Sequence, residues 1–187
     1  MKVLAVCGMP GSGKGEIAGV ARGKGIKVHS MGDVVREFFA RECPERDPIE
    51  TGMYADMERK KHGKDIWARR LVETLERELT PETDLVMIDG LRSKMESDLF
   101  RSRWGRQFLV LAVHSSPDKR FNRLSRRGRG DDSTDRNKFD ERDDRELGWG
   151  LGEVISRAEI MIVNGSRIET FKQQVNNLLD HLEEEEK

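Results

Sequence analysis

Short, nearly unbroken apolar runs alternate along the chain with longer stretches in which apolar residues recur every three or four positions. Lys2–Cys7 is the first run, and it stops at a cluster of glycines. Runs of this kind mark strands buried on both faces of a parallel sheet. Four more follow: Ile26–Ser30, Leu85–Asp89, Phe108–His114 and Ile160–Asn164. Helical spacing fills the gaps. One helix is predicted from Lys14 to about Arg22, and another over Asp33–Arg41 with Val34, Val35, Phe38 and Phe39 on one side. Thr51–Lys61 and Asp65–Leu79 read as two more, the second carrying Ile66, Trp67, Leu71, Leu75 and Leu79 as an apolar stripe. Lys94–Arg103, Pro117–Arg127, about Asp140–Leu147, and Arg167–Leu182 complete the helices. Strands that alternate with helices predict an α/β fold, here a five-stranded parallel sheet with helices on both faces.

Three stretches depart from that pattern. Cys43–Ile49 holds two prolines and reads as a loop. Gly128–Lys138 has no apolar residue, so it cannot pack a core, and positions 119–145 carry ten basic and seven acidic residues. That region reads as a mobile, charged flap between the fourth and fifth strands. Gly148–Gly152 reads as a flexible turn at its far end. No internal repeat appears, and residues 1–187 read as one domain.

Composition narrows the class. The chain of 187 residues is 37% charged, against about 25% for a typical domain, yet its net charge is only -1. Near-neutrality argues against a general nucleic-acid binder while leaving room for a local basic site. Of the 34 basic residues 22 are arginine, the side chain suited to bidentate contact with phosphate. No apolar run approaches the ~18 residues of a membrane span. Cys7 and Cys43 form no disulfide framework, and the chain reads as cytoplasmic. The four histidines show no metal-ligand spacing.

The strongest chemical signal is Gly8-Met9-Pro10-Gly11-Ser12-Gly13-Lys14, which fits G-x-x-x-x-G-K between a predicted strand and a predicted helix. Glycines let successive backbone N–H groups turn inward toward phosphate oxygens. The helix N-terminus adds partial positive charge, and Lys14 adds a full one. Such loops usually place a magnesium-holding Ser or Thr after the lysine; this chain has Gly15 and then Glu16. A second match, Asn137-Lys138-Phe139-Asp140, fits the guanine-reading N-K-x-D pattern but follows a polar stretch rather than a strand, and reads as coincidence.

The loop, as G-x-P-G-x-G-K-G, closely resembles that of adenylate kinases, and the likeness continues in order along the chain. Ser30-Met31-Gly32-Asp33-Val34-Val35-Arg36 resembles a stretch S-T-G-D-x-x-R in which the arginine grips the acceptor's phosphate, so the resemblance assigns Arg36 to acceptor binding. Ile88-Asp89-Gly90-Leu91-Arg92 resembles D-G-F-P-R, one residue shorter; it implies magnesium organisation for Asp89 and acceptor binding and catalysis for Arg92. Arg123 and Arg127 match the arginine spacing at the start of the kinase lid, and Arg142-Asp143-Asp144-Arg145 resembles the arginines at its end. The resemblance therefore implies charge stabilisation by Lys14, Arg123, Arg127, Arg142 and Arg145, and nucleotide binding by Gly8–Gly15. It implies a lid over about 120–145 and an acceptor-binding helical region over about 33–80. Arg157–Asn164 resembles the last strand of adenylate and dephospho-CoA kinases; Asn164-Gly165-Ser166 after it reads as a strand-to-helix turn, or, as the resemblance implies, as a loop near an adenine base. As a whole the chain resembles an archaeal group of adenylate-kinase-related proteins.

Two functions are therefore expected. The first is phosphoryl transfer from ATP, with Mg2+, to a small phosphorylated acceptor: a nucleoside monophosphate first, dephospho-CoA second. The second is a nucleotide-binding regulator or slow ATPase, favoured by the missing hydroxyl at positions 15 and 16. Neither involves nucleic acid or membrane.

Overall fold

The computed structural model describes residues 1–47, 50–80, 83–128 and 134–184. In chain order its elements are β1 (Lys2–Cys7), α1 (Lys14–Gly23), β2 (Lys27–Ser30), α2 (Met31–Glu42), α3 (Thr51–His62), α4 (Ile66–Glu78) and β3 (Leu85–Leu91). Then come α5 (Lys94–Trp104), β4 (Phe108–His114), α6 (Pro117–Arg127), α7 (Arg136–Gly148), α8 (Leu151–Ser156), β5 (Ile160–Val163) and α9 (Ile168–Glu184). The strands form one parallel sheet in the order β2-β3-β1-β4-β5.

Side chains alternate across a strand, so an all-apolar strand feeds two cores at once. Val3, Ala5 and Cys7 of β1 join a core with α2, α3, α4, α5 and α8. Leu4 and Val6 face the other way, into a core with Ile17 and Ala21 of α1 and Phe171, Val175 and Leu179 of α9. Helices therefore cover both faces, as the apolar runs require. Trp67 is fully buried in the first core, beside Phe38 and Tyr54. Cys7 is a free buried thiol whose pKa burial pushes up to about 12. Among the described residues no helix is long and apolar enough to cross a membrane.

Two expectations need correction. The charged flap is shorter than its composition suggests. Residues 129–133 lie outside the described residues, but Arg136–Lys138 already belong to α7, whose start is capped by Asp135 Oδ1 accepting from Asn137 N at 2.8 Å. That helix also carries the N-K-x-D match, with Phe139 buried against Phe121. The expected flexible turn at Gly148–Gly152 is only half a turn: α8 starts at Leu151, and Leu151 and Val154 plug into the core. Six residues with two buried positions are too few for a 3.6-residue period to register.

Candidate nucleotide site

β1 lies between β3 and β4, so the chain leaves it in opposite directions on either side. Such a reversal opens a crevice at the carboxyl ends of the strands. A cleft of about 810 Å³ stands there, lined among the described residues by seven basic and three acidic side chains.

The glycine-rich loop forms its floor. Gly8 has φ 148° and Gly13 has φ 113°, both in the range that side chains avoid. A Cβ on Gly8 would stand 2.5 Å from Val113 O, and one on Gly13 would collide with the Asn164 amide. The loop is held from behind by its carbonyls. Arg120, 3% exposed, donates from Nη1 to Pro10 O at 3.1 Å. Arg123 Nη1 donates to Gly11 O at 3.3 Å and Ser12 O at 3.4 Å, and Asn164 Nδ2 donates to Ser12 O at 2.8 Å. A peptide's C=O and N–H point in opposite directions. Tying these carbonyls outward thus favours amides that face the cleft, as an anion-binding nest requires.

Lys14 opens α1, with its Nζ folded back across the loop to Gly8 O and, at 3.3 Å, Met9 O. Burial lowers its pKa, and the field of Glu146 opposes that shift most. Asp89 reaches the cleft from β3, where a one-residue irregularity at Gly90 shifts the register with β1. Burial raises its pKa, against Lys14 and Arg92, and its Oδ1 has no hydrogen-bond partner among the described residues. An orphaned carboxylate oxygen at the edge of a phosphate loop suits a hard cation that keeps most of its own water. Asp89 thus fits magnesium; positions 15 and 16 add no hydroxyl. Glu16 pairs with Lys172 of α9 at 3.1 Å, which draws its charge toward α9.

The other expected residues separate into two groups. Pro10, Gly11, Gly13, Gly15, Arg36, Arg92, Arg123, Arg127 and Arg142 line the cleft, whereas Gly8, Met9 and Ser12 lie outside its lining. Arg36 is exposed on α2 and paired with Asp33. Arg92 follows β3 and donates to Glu146 Oε1 at 3.0 Å. Arg123, expected to stabilise transferring charge, lines the cleft and also donates to the loop carbonyls, to Ser115 Oγ at 3.1 Å and to Asn164 Oδ1 at 3.1 Å. It braces the loop. Arg145 is exposed and outside the cleft lining, because Asp143 and Glu146 set the rotation of α7. Asn164 and Ser166, which the resemblance brings toward a base, both line the cleft, and the buried Asn164 amide also links Ser12 to Arg123.

Sequence reading missed Arg120, Arg126 and Glu146. The only local signal for Arg120 is its place three residues before Arg123. Its bidentate bond to Asp143, at 2.8 Å for Oδ1, ties α7 to the loop's underside. The bracing makes a prediction. Asn164→Ala leaves Ser12 O and Arg123 short of partners in a buried place, so stability should fall by about 2 kcal/mol, or roughly 4–8 °C in the unfolding midpoint. Thermal melts followed by circular dichroism would show it; an unchanged midpoint would mean that the loop is held without Asn164.

A family model described as an AAA domain matches residues 7–140. The UPF0200 protein of Methanopyrus kandleri is 49% identical over 163 residues, which span 87% of this chain and 80% of that protein. That of Thermoplasma volcanium is 42% identical over 180 residues, 96% of this chain and 97% of the relative. Among solved structures, a shikimate kinase from Bacteroides thetaiotaomicron aligns with a TM-score of 0.65 at 16% identity, covering 96% of this chain and 98% of its own. A gluconokinase from Sinorhizobium meliloti aligns with a TM-score of 0.61 at 15% identity, covering 98% and 94%. At such identities the likeness is one of fold, the P-loop kinase type.

Proposed function

The chain belongs to the AAA-domain and UPF0200 families of the P-loop kinase superfamily, and on that footing we propose that it transfers the γ-phosphoryl group of ATP to a small acceptor already carrying a phosphate. One observation carries the reading: cations line both walls of a cleft centred on the phosphate loop. Arg126 and Arg127 stand on the α6 side, and Arg36 and Arg92 on the β2–β3 side. A nucleoside triphosphate on the loop uses the first wall. The second wall suits a further anion, which a neutral polyol does not have. A nucleoside monophosphate is the leading acceptor and dephospho-CoA the next.

The residues present act by position and charge, as phosphoryl transfer requires. The loop amides and Lys14 bind the donor phosphates and hold the γ-phosphorus toward the β3 side. Arg92 and Arg142 orient the acceptor and spread the charge that develops on the transferring oxygens. Closure over the cleft from the Arg126–Arg127 end of α6 excludes water, so that the phosphoryl group meets the acceptor. Asp89 would hold magnesium, which supplies charge neutralisation on the donor's phosphates.

The test is a substrate panel: nucleoside monophosphates and dephospho-CoA against the same nucleosides without phosphate, each with ATP and magnesium. Phosphorylated members should be consumed and their bare counterparts spared. Turnover of the bare compounds alone would contradict the reading. The absence of a hydroxyl at positions 15 and 16 favours the second reading, a nucleotide-binding regulator or slow ATPase.

That same absence yields a further prediction. A hydroxyl at the loop's end contributes about 1–3 kcal/mol of charge-assisted hydrogen bonding, roughly ten- to hundredfold in rate. A Cβ on Gly15 meets nothing within 4 Å, so serine enters without a clash. Gly15→Ser should raise turnover about tenfold and lower the magnesium concentration at half-maximal rate. A flat or lower rate with an unchanged melt would show that the hydroxyl is not what limits this site.

A further inference from the structure

Among the described residues Glu146 is the most deeply buried of the acids on the cleft wall, 3% exposed, and it stands among cations. Its Oε1 accepts from Arg92 Nη1 at 3.0 Å and lies 3.8 Å from Arg142 Nε. Its field also reaches Lys14 and Arg59. Burying an acid at the mouth of an anion site works against the site, unless the acid has a task there. Anchoring α7 does not rest on Glu146 alone. Asp143, one turn earlier, is bound through both oxygens to Arg120, which also holds Pro10 O of the phosphate loop.

A carboxylate offers arginine N–H groups the same edge of two oxygens that a phosphate offers. Resting on the reading of this cleft as a phosphotransferase site, we infer that Glu146 is a positioning residue that stands in for the acceptor's phosphate. It keeps Arg92 and Arg142 together and turned into the cleft, and the incoming phosphate takes them over by displacing its carboxylate. The exchange replaces one negative charge with a phosphate dianion, so it runs forward only for an acceptor that carries such a group. Glu146 and Asp143 lie on one face of α7. Displacement of the first is therefore felt, through Asp143 and Arg120, at the carbonyls of the phosphate loop. The acceptor's arrival and the donor's seat are linked by three side chains.

Calorimetric titration of orthophosphate into the full chain tests this, with the phosphate loop first saturated by a non-hydrolysable ATP analogue and magnesium. Glu146→Gln keeps an oxygen for Arg92 and removes the competing charge, so orthophosphate should bind about tenfold tighter than to wild type. Glu146→Asp keeps the charge and should stay within about threefold of wild type, which separates charge from packing. Equal or weaker binding in Glu146→Gln, with the analogue bound normally, would overturn the inference while leaving the phosphotransferase reading intact. Failure of the analogue to bind either protein would overturn both. If Glu146→Gln does not fold, wild type decides. Arg92 lies 5.5 Å from the Trp149 ring, so its release by orthophosphate should change the Trp149 emission, a signal that Trp149→Phe abolishes. No Trp149-dependent change would overturn the inference.

Discussion

Lys14→Ala should lower ATP turnover about a thousandfold or more, the largest effect expected of any single substitution in this chain. The lysine is the one full positive charge that the phosphate loop itself contributes. Its ammonium sits over the loop, against the carbonyls of Gly8 and Met9. Burial has lowered its pKa, so in this setting the charge is costly to keep and gains most from an anionic partner. Alanine removes that charge and leaves Gly8 O and Met9 O short of a hydrogen-bond donor, and both ATP affinity and transition-state charge stabilisation suffer. Single-turnover rates and calorimetric ATP affinity read the two losses separately. A variant that folds and keeps both would remove the phosphate loop from the mechanism.

Asp89→Asn should part activity from stability. Magnesium-dependent turnover should fall about a hundredfold or more, because the substitution removes the negative oxygen that fits the metal. The folded chain should at the same time become more stable near neutral pH, by about 1 kcal/mol or roughly 2–4 °C in the melting midpoint. Burial raises the Asp89 pKa above its ordinary value of 3.8, so the folded chain binds that proton more tightly than the unfolded chain does. Wild type therefore loses stability as pH rises from about 4 through the raised pKa. Below that window both states are protonated and the variant's advantage disappears; above it the advantage is complete. Melting curves of both proteins across acid to neutral pH test the sign. A variant less stable than wild type at neutral pH would mean that the carboxylate is better paired than its orphaned Oδ1 indicates.

Much of the fold was legible because its signals are local. Apolar runs such as Lys2–Cys7 belong to strands that feed two cores, and that burial leaves little choice of secondary structure. The phosphate loop was legible because its glycines serve a backbone shape set within six residues. The braces of that loop were not. Asn164 reaches Ser12 across 152 positions, Arg120 reaches Pro10 across 110, and Arg92 reaches Glu146 across 54. Each pairing depends on the strand order and on the rotation of α7, which periodicity does not encode. Arg145 shows the consequence. It belongs to a motif that reads well in one dimension. Yet each helical residue turns about 100°, and Glu146 beside it takes the inward position. Residue type alone could not show that Arg123, which lines the cleft with Arg126 and Arg127, also braces the loop carbonyls.

The most direct measurement follows the γ-phosphoryl group itself. ATP labelled at that position is incubated with the protein, magnesium and each phosphorylated acceptor, and the label is partitioned between acceptor product and free orthophosphate. A phosphotransferase built on this cleft should place most of the label on one acceptor, with hydrolysis a minor product and Lys14→Ala abolishing both. Label released as orthophosphate at the same rate whichever acceptor is present would contradict that function and leave a nucleotide-hydrolysing switch in its place.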